Sequence, residues 1–288
     1  MKWLIDFPFE ITINKKAIDS AVRAFSVKHD AFFSAITSGL NGLIGGIHSL
    51  LNIIPWWLFI LAIFFAGWKS TGKLKNGIFF ALAITVIGIA GLWALMLETL
   101  SIIIAAVIIS LFFGLPLGIL LAQFDRAEKI ARPILDTMQT MPVFVYLIPA
   151  LLFFGLGKAP AVIATTIYAI VPVIRLTSLG IRQVDKEVVE AAKAFGSTGV
   201  QTLIKVQIPQ AKATIMTGVN QTLMMAMAMV VTCSMIGASG LGMEVLMGVQ
   251  RIEIGRGLIA GIAVVILAIV LDRITQGIAE KGQKNGKQ

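Results

Sequence analysis

From Thr99 to Gln123 the chain carries no charged residue. A run of that length is enough for one helical crossing of the roughly 30 Å hydrocarbon core of a bilayer. Lipid offers no hydrogen-bond partners, so a spanning run must satisfy its backbone internally, as a helix does. It does not stand alone. Further apolar segments fall at about Leu51 to Trp68, Gly77 to Leu97, Pro133 to Phe154, Pro160 to Leu179, Ile215 to Ile236 and Leu258 to Ile274. Of the 288 residues 57% are hydrophobic and 14% charged, against about 25% charged in a soluble domain. The expected fold is an all-α membrane protein, a polytopic helical bundle of about seven spans. Glu98 is read as a tight turn between the second and third spans. Within the third, Gly114, Pro116 and Gly118 predict a kink site and a small-residue contact face.

Residues 1–50 read as an amphipathic N-terminal region lying on the membrane surface, with Lys15, Lys16, Arg23 and Lys28 among apolar residues. A further span over Ala31 to Leu50 is the alternative. The first two spans occupy 51–98, and 277–288 form a basic tail. A net charge of +9 invites a nucleic-acid reading. That reading fails, because the basic residues sit in short loops between apolar runs, where they set membrane orientation. The loops at Lys69 to Lys75, Arg126 to Arg132 and Arg182 to Lys212, with the tail, are expected on the cytoplasmic side. Glu98 and Lys158 fall outside. One cysteine, Cys233, and two histidines, His29 and His48, leave no intramolecular disulfide and no expected metal site. Cys233 reads as a small buried packing residue. Asp6, Pro8 and Glu10 break any secretory-signal core.

Between the fifth and sixth spans lies a polar, basic stretch, EAAKAFGSTGVQTLIKVQIP, from Glu190 to Pro209. It reads as a short helix, a turn that Gly196 permits, and a second helix stopped by Pro209. Its spacing, E-A-A-x3-G-x9-V-x-I-P, resembles the signature loop of permease subunits of ATP-binding-cassette (ABC) importers, with Val206 for Ile and Ile208 for Leu. The likeness extends over roughly 60% of the chain, from Thr99 to Gln276. It is carried by LDTMQTMPVFVYLIP at Leu135, AFGST at Ala194, GVNQTLMMAMAMVV at Gly218, SMIGASGLG at Ser234 and LDRITQ at Leu271. These runs resemble the permeases of glycine betaine/proline betaine importers, whose relatives carry choline or carnitine.

That resemblance implies a type I ABC importer transmembrane domain over 99–276 with a cytoplasmic coupling loop over 182–214. It implies a homodimer with a second permease copy, a cytoplasmic ATPase dimer, an external substrate-binding protein and a bacterial inner-membrane location. Glu190, Ala191, Ala192, Gly196 and Pro209 would form the ATPase-coupling element. The chain has no G-x-x-x-x-G-K-[ST] loop, so ATP and Mg belong to the partner, and no cofactor or catalytic residue is expected here. Choline or carnitine uptake for catabolism is the alternative cargo. A permease for another small solute such as an amino acid is the broader one. A membrane enzyme is disfavoured by the lack of a His/Cys/Asp/Glu constellation in the spans, and a scaffold has no need of the coupling loop.

The substrate pathway is sought among polar groups within spans. Asn220, Met224 and Met227 follow i, i+4, i+7, and Gln221, Met225 and Met229 line an adjacent stripe. With Gln139 and Thr140 they either line a wet passage or tie helices together, with Met as filler. Arg175 snorkels or pairs with Asp136, and Asp272 with Arg273 reads as an interfacial charge pair. Gly237, Gly240 and Gly242 read as a flexible turn near the outer mouth. Glu244, Arg251, Glu253 and Arg256 either receive the binding protein or are ordinary loop charges. Trp93, Phe144, Tyr146 and Tyr168 form no cage by spacing, which places tight recognition of a quaternary ammonium on the binding protein.

Overall fold

A computed structural model describes the backbone of residues 14–284 and the side chains of residues 14–278. The described chain is helical: α1 (Lys15–Lys28), α2 (Asp30–Ile53), α3 (Trp56–Thr71), α4 (Leu74–Ile89), α5 (Trp93–Gln123), α6 (Asp125–Thr140) and α7 (Val143–Phe154). There follow α8 (Lys158–Arg182), α9 (Lys186–Ala194), α10 (Gly199–Thr202), α11 (Ile208–Cys233), α12 (Leu241–Gln250) and α13 (Ile254–Lys284).

The described helices differ in length and in hydropathy. Four helical stretches, Trp93–Gln123, Lys158–Arg182, Gly199–Ile236 and Ile254–Ile278, are long and apolar enough to cross a membrane. The pairs α2–α3 and α6–α7 qualify only jointly, bent by 96° and 97°, which gives up to six by length and composition, with α4 a shorter apolar helix beside them. Two helices at a right angle cannot both run along the membrane normal. Proline causes both bends. Ile54 precedes Pro55 at φ −75°, ψ 116°, and Met141 precedes Pro142 at φ −68°, ψ 130°. The proline ring disfavours the helical conformation in the residue before it, and at these two positions the chain leaves the helix, whereas Pro116, Pro133, Pro149 and Pro172 stay inside helices.

Two further boundaries differ from expectation. The turn read at Glu98 lies earlier, after α4 ends at Ile89, where Gly91 takes φ +75°. Glu98 sits inside α5, and Lys158 Nζ lies 3.1 Å from its carboxylate. A cation from α8 therefore lets the charge stay helical. Nor does Pro209 stop a helix. A π-helical segment, Leu203–Gln207, leads from α10 into α11, and Pro209 sits in the first turn of α11. There its missing N–H has little consequence.

Helices α5, α8 and α11 form the centre, and glycine sets their spacing. A Cβ on Gly118 would lie 2.6 Å from Thr177 Cβ and 2.8 Å from the Ile174 carbonyl. Gly114 meets Val173 in the same way, so the small-residue face predicted on α5 is the seam with α8. Gly218 of α11 does the same against Pro172 and Leu176 of α8. Ile102, Ile103, Val162, Ala169 and Met229 are buried between these helices. Cys233 is buried too, with its sulfur 3.6 Å from Thr165 Oγ1.

Helix α2 is amphipathic. Leu40, Ile44, Ile47 and Leu51 pack on the main core, while Ser34, Ser38 and Asn41 face away. Phe33 stacks on Phe153 at 4.9 Å between ring centres, which fixes α2 to the end of α7.

Candidate functional site: a coupling turn, a polar helix face and a braced hairpin

The turn at Gly196, the candidate coupling element, is built from local rules. Asp185 caps α9 by accepting from the Glu187 N–H at 2.9 Å. The helix ends at Gly196, whose φ is +83°. Gly196 N–H donates to Lys193 O at 2.9 Å, and Ser197 N–H donates to Ala192 O at 3.1 Å. This is a Schellman motif, and it demands a left-handed residue where Gly196 stands. Thr198 and Gln201 then exchange side-chain and backbone hydrogen bonds as a capping box for α10. A small core of Ile181, Val184 and Ala211, joined by Val189 and Leu203, fixes the turn to α8 and α11.

Glu190 and Ala191 are exposed, Ala192 is half-buried, and Pro209 is exposed at the start of α11. Beside them a cleft of about 230 Å³ is lined by Arg182, Lys186, Glu190 and Lys193. Sequence reasoning passed over the most exposed apolar side chains here. Phe195 is 92% exposed, and Val200 and Ile204 are also open. The signal was present as an apolar residue beside the turn glycine, but hydropathy does not separate a surface aromatic from a core one.

The polar residues of the spans do not form one lining. Gln221 is exposed and Met224 is 37% exposed, whereas Met227 is 3% exposed and Met229 is fully buried. Asn220 is tied to α13, its Nδ2 donating to Asp272 Oδ1 at 2.9 Å. Gln276 Nε2 donates to both oxygens of Asp272, at 2.8 and 2.9 Å. Asp272 is therefore held by two amides, Asn220 across the α11–α13 seam and Gln276 one turn along α13, and the charge pair expected with Arg273 is not the contact it makes. Gln139 and Thr140 are exposed at the C-terminal end of α6, just before the break at Pro142. Tyr146 of α7 donates to the Met138 carbonyl there, and its ring meets Tyr168 edge-on at 5.7 Å. Arg175 pairs with Asp136, as one of the two readings had it.

The Gly-rich segment is packed rather than flexible. Gly240 lies against Thr99 of α5, and the Leu241 N–H donates to Thr99 Oγ1 at 2.8 Å. Beyond it α12 folds back on the start of α13. Arg256 takes Glu244 in a bidentate pair, at 2.5 and 3.0 Å, and reaches Glu253 at 3.2 Å. The Arg256 hydrogen bond holds the Glu244 carboxyl below its ordinary value. Three of the four charges expected to meet a partner are thus engaged with each other. Arg251 lies outside that network. Among the described residues no group of three His, Cys, Asp or Glu side chains is placed to hold a metal ion.

Residues 114–281 match the family described as binding-protein-dependent transport system inner membrane component. The glycine betaine/carnitine transport permease GbuB of Listeria monocytogenes is 46% identical over 257 residues, covering 88% of this chain and 91% of that protein. The glycine betaine permease OpuAB of Bacillus subtilis is 45% identical, over 93% of this chain and 95% of its own. The glycine betaine/proline betaine permease ProW of Escherichia coli is 42% identical, over 89% and 72%. In fold, the chain is similar to the inward-facing MetNI methionine ABC transporter, with a TM-score of 0.57, 21% identity, and coverage of 66% of this chain and 94% of that one. A helical bundle with these likenesses is an ABC importer permease of the bacterial inner membrane: the chain belongs to the family of binding-protein-dependent transport system inner membrane components.

Proposed function

We propose that the chain is the permease subunit of an ATP-driven importer of glycine betaine and proline betaine-type solutes, working as a homodimer with an ATPase dimer and an external binding protein. The observation that carries the mechanism is the exposed turn at Gly196, continuous through one π-helical segment with α11. A partner ATPase seated on Glu190, Ala191, Ala192 and Phe195 has a short, stiff path to the membrane part. Its closure biases the permease through contacts that differ between inward-facing and outward-facing states. Pro209 opens α11 at the root of that path.

The cargo follows from the named permeases of 42–46% identity, all of which carry glycine betaine in their names. The carnitine in one of those names keeps a second quaternary ammonium in play. Gln221 and Met224 on the open face of α11, with Gln139 and Thr140 at the α6–α7 break, are the pathway side chains. Asn220 and Met227 support that face from behind, one through Asp272 and the other by packing. A neutral amide and a polarisable thioether suit a passage that must release its cargo.

The test is ATP-dependent uptake of labelled glycine betaine and of labelled choline into vesicles holding permease, ATPase and binding protein. Betaine uptake that requires all three components is the expected result. Uptake of neither compound removes the cargo and leaves only the family.

A further inference from the structure

The α12–α13 hairpin ends in a conformation its sequence should avoid. Ile252 N–H donates to Val249 O at 3.3 Å and Glu253 N–H donates to Gly248 O at 2.9 Å. This is the same Schellman pattern that ends α9, with Ile252 in the slot that glycine fills at Gly196. Its φ is +59°, and it is the sole non-glycine residue with positive φ among those described. For a β-branched residue this is a genuine outlier, since Cβ crowds the following carbonyl. Glycine or asparagine would build the same turn with less strain. The side chain gains nothing within the chain to offset that strain, because Ile252 is 82% exposed. Val249 and Ile254 beside it are exposed as well.

The hairpin that carries Ile252 is rigid. Arg256 clamps it through Glu244 and Glu253, and the backbones of Gly248 and Gly257 touch. Fluid acyl chains return little for a side chain held in one direction. A pocket on a folded partner returns much, because the ordering is done in advance. The hairpin also lies at the end of α13 opposite to Gly277, which packs on Ser70 beside the basic loop of Lys69 to Lys75. With the basic loops inside, Ile252 is outside.

We propose that Ile252, flanked by Val249 and Ile254 and rimmed by Arg251, is an anchor that seats the external binding protein. This rests on the importer reading. It moves the docking contact away from Glu244, Glu253 and Arg256, which brace the hairpin, and onto the apolar tip.

The experiment uses the permease–ATPase complex in nanodiscs, titrated with betaine-loaded binding protein while ATP turnover is followed. Ile252→Gly keeps the turn and removes the side chain. The midpoint for binding protein should rise about tenfold or more, as expected for loss of an interface anchor. Turnover at saturation and thermal stability should stay at or above wild type. Ile252→Leu should restore the midpoint. An unchanged midpoint in Ile252→Gly, beside a stimulated wild type, overturns the anchor and spares the importer reading. A wild type that no binding protein stimulates overturns both. Ile252→Trp, with the five native tryptophans replaced by phenylalanine, whose fluorescence brominated lipid quenches and binding protein leaves unchanged assigns the tip to the outer leaflet and overturns the anchor too.

Discussion

Replacing Gly196 by alanine separates backbone demand from partner contact at the coupling turn. A Cβ added there meets nothing within 4 Å in this chain, so no internal clash contributes. What remains is the left-handed conformation at φ +83°, which costs an L-residue roughly 1–2 kcal/mol. A difference of that size lowers the population of the formed turn about 5- to 30-fold relative to alternatives. The ATPase would then have to reorder the turn on docking. We expect Gly196→Ala to lower betaine uptake and betaine-stimulated ATP turnover in proteoliposomes by about fivefold or more, with unchanged amounts of permease in the membrane. Asparagine tolerates the left-handed region better than alanine, so Gly196→Asn should retain more uptake than Gly196→Ala. Gly196→Asp should uncouple transport, because it puts a carboxylate on the exposed turn of the proposed docking surface. Wild-type uptake by Gly196→Ala would refute the conformational argument. An asparagine variant worse than alanine would show that the partner packs on the glycine itself, and that side-chain bulk outweighs φ.

Phe195→Ala removes a side chain that touches little of its own chain, so the melting temperature of the isolated permease should not move. Its affinity for the ATPase subunit should fall about tenfold, read by co-purification at graded ATPase concentrations; equal affinity ends the docking role of Phe195. Gly118→Val at the α5–α8 seam should destabilise the detergent-solubilised permease by about 1–3 kcal/mol through overpacking. Gly261→Ala, with nothing within 4 Å of its added Cβ in the interior of α13, should hold or raise stability in the same thermal assay, by up to about 1 kcal/mol. Asp272→Ala leaves the amides of Asn220 and Gln276 without their acceptor, and should lower stability by about 1–2 kcal/mol. Combined with Asn220→Ala it should be clearly less than additive, and strict additivity would show that the two residues act separately.

The elements that read well from the sequence are those that local physics controls. The absence of charge from Thr99 to Gln123 allows nothing but a long helix in lipid. The turn at Gly196 follows from glycine being the residue that enters the left-handed region without strain, and the matching spacing around it led to the permease family. The right-angle breaks are local only in part: Pro55 and Pro142 disfavour helix at the residues before them, yet Pro116, Pro133, Pro149 and Pro172 sit inside helices. Their consequence for the span count emerges only once both helices have directions.

Tertiary structure decided what periodicity could not. Met224 and Met227 share a helical face by spacing, yet one is open and the other buried, because α11 is covered by α8, α13 and α5 on different sides. Glu98 looks like a boundary as a lone charge, and becomes a helical residue once Lys158 from α8 neutralises it. Asp272 looks like the partner of its neighbour Arg273, yet it binds Asn220 across a helix seam. A charge or an amide in a span is placed by what it can reach in three dimensions, and its own sequence neighbours say little about that. Ile252 marks the same limit. Its side chain reads as one more apolar residue, and only its backbone angle and its exposure show that it stands where glycine belongs.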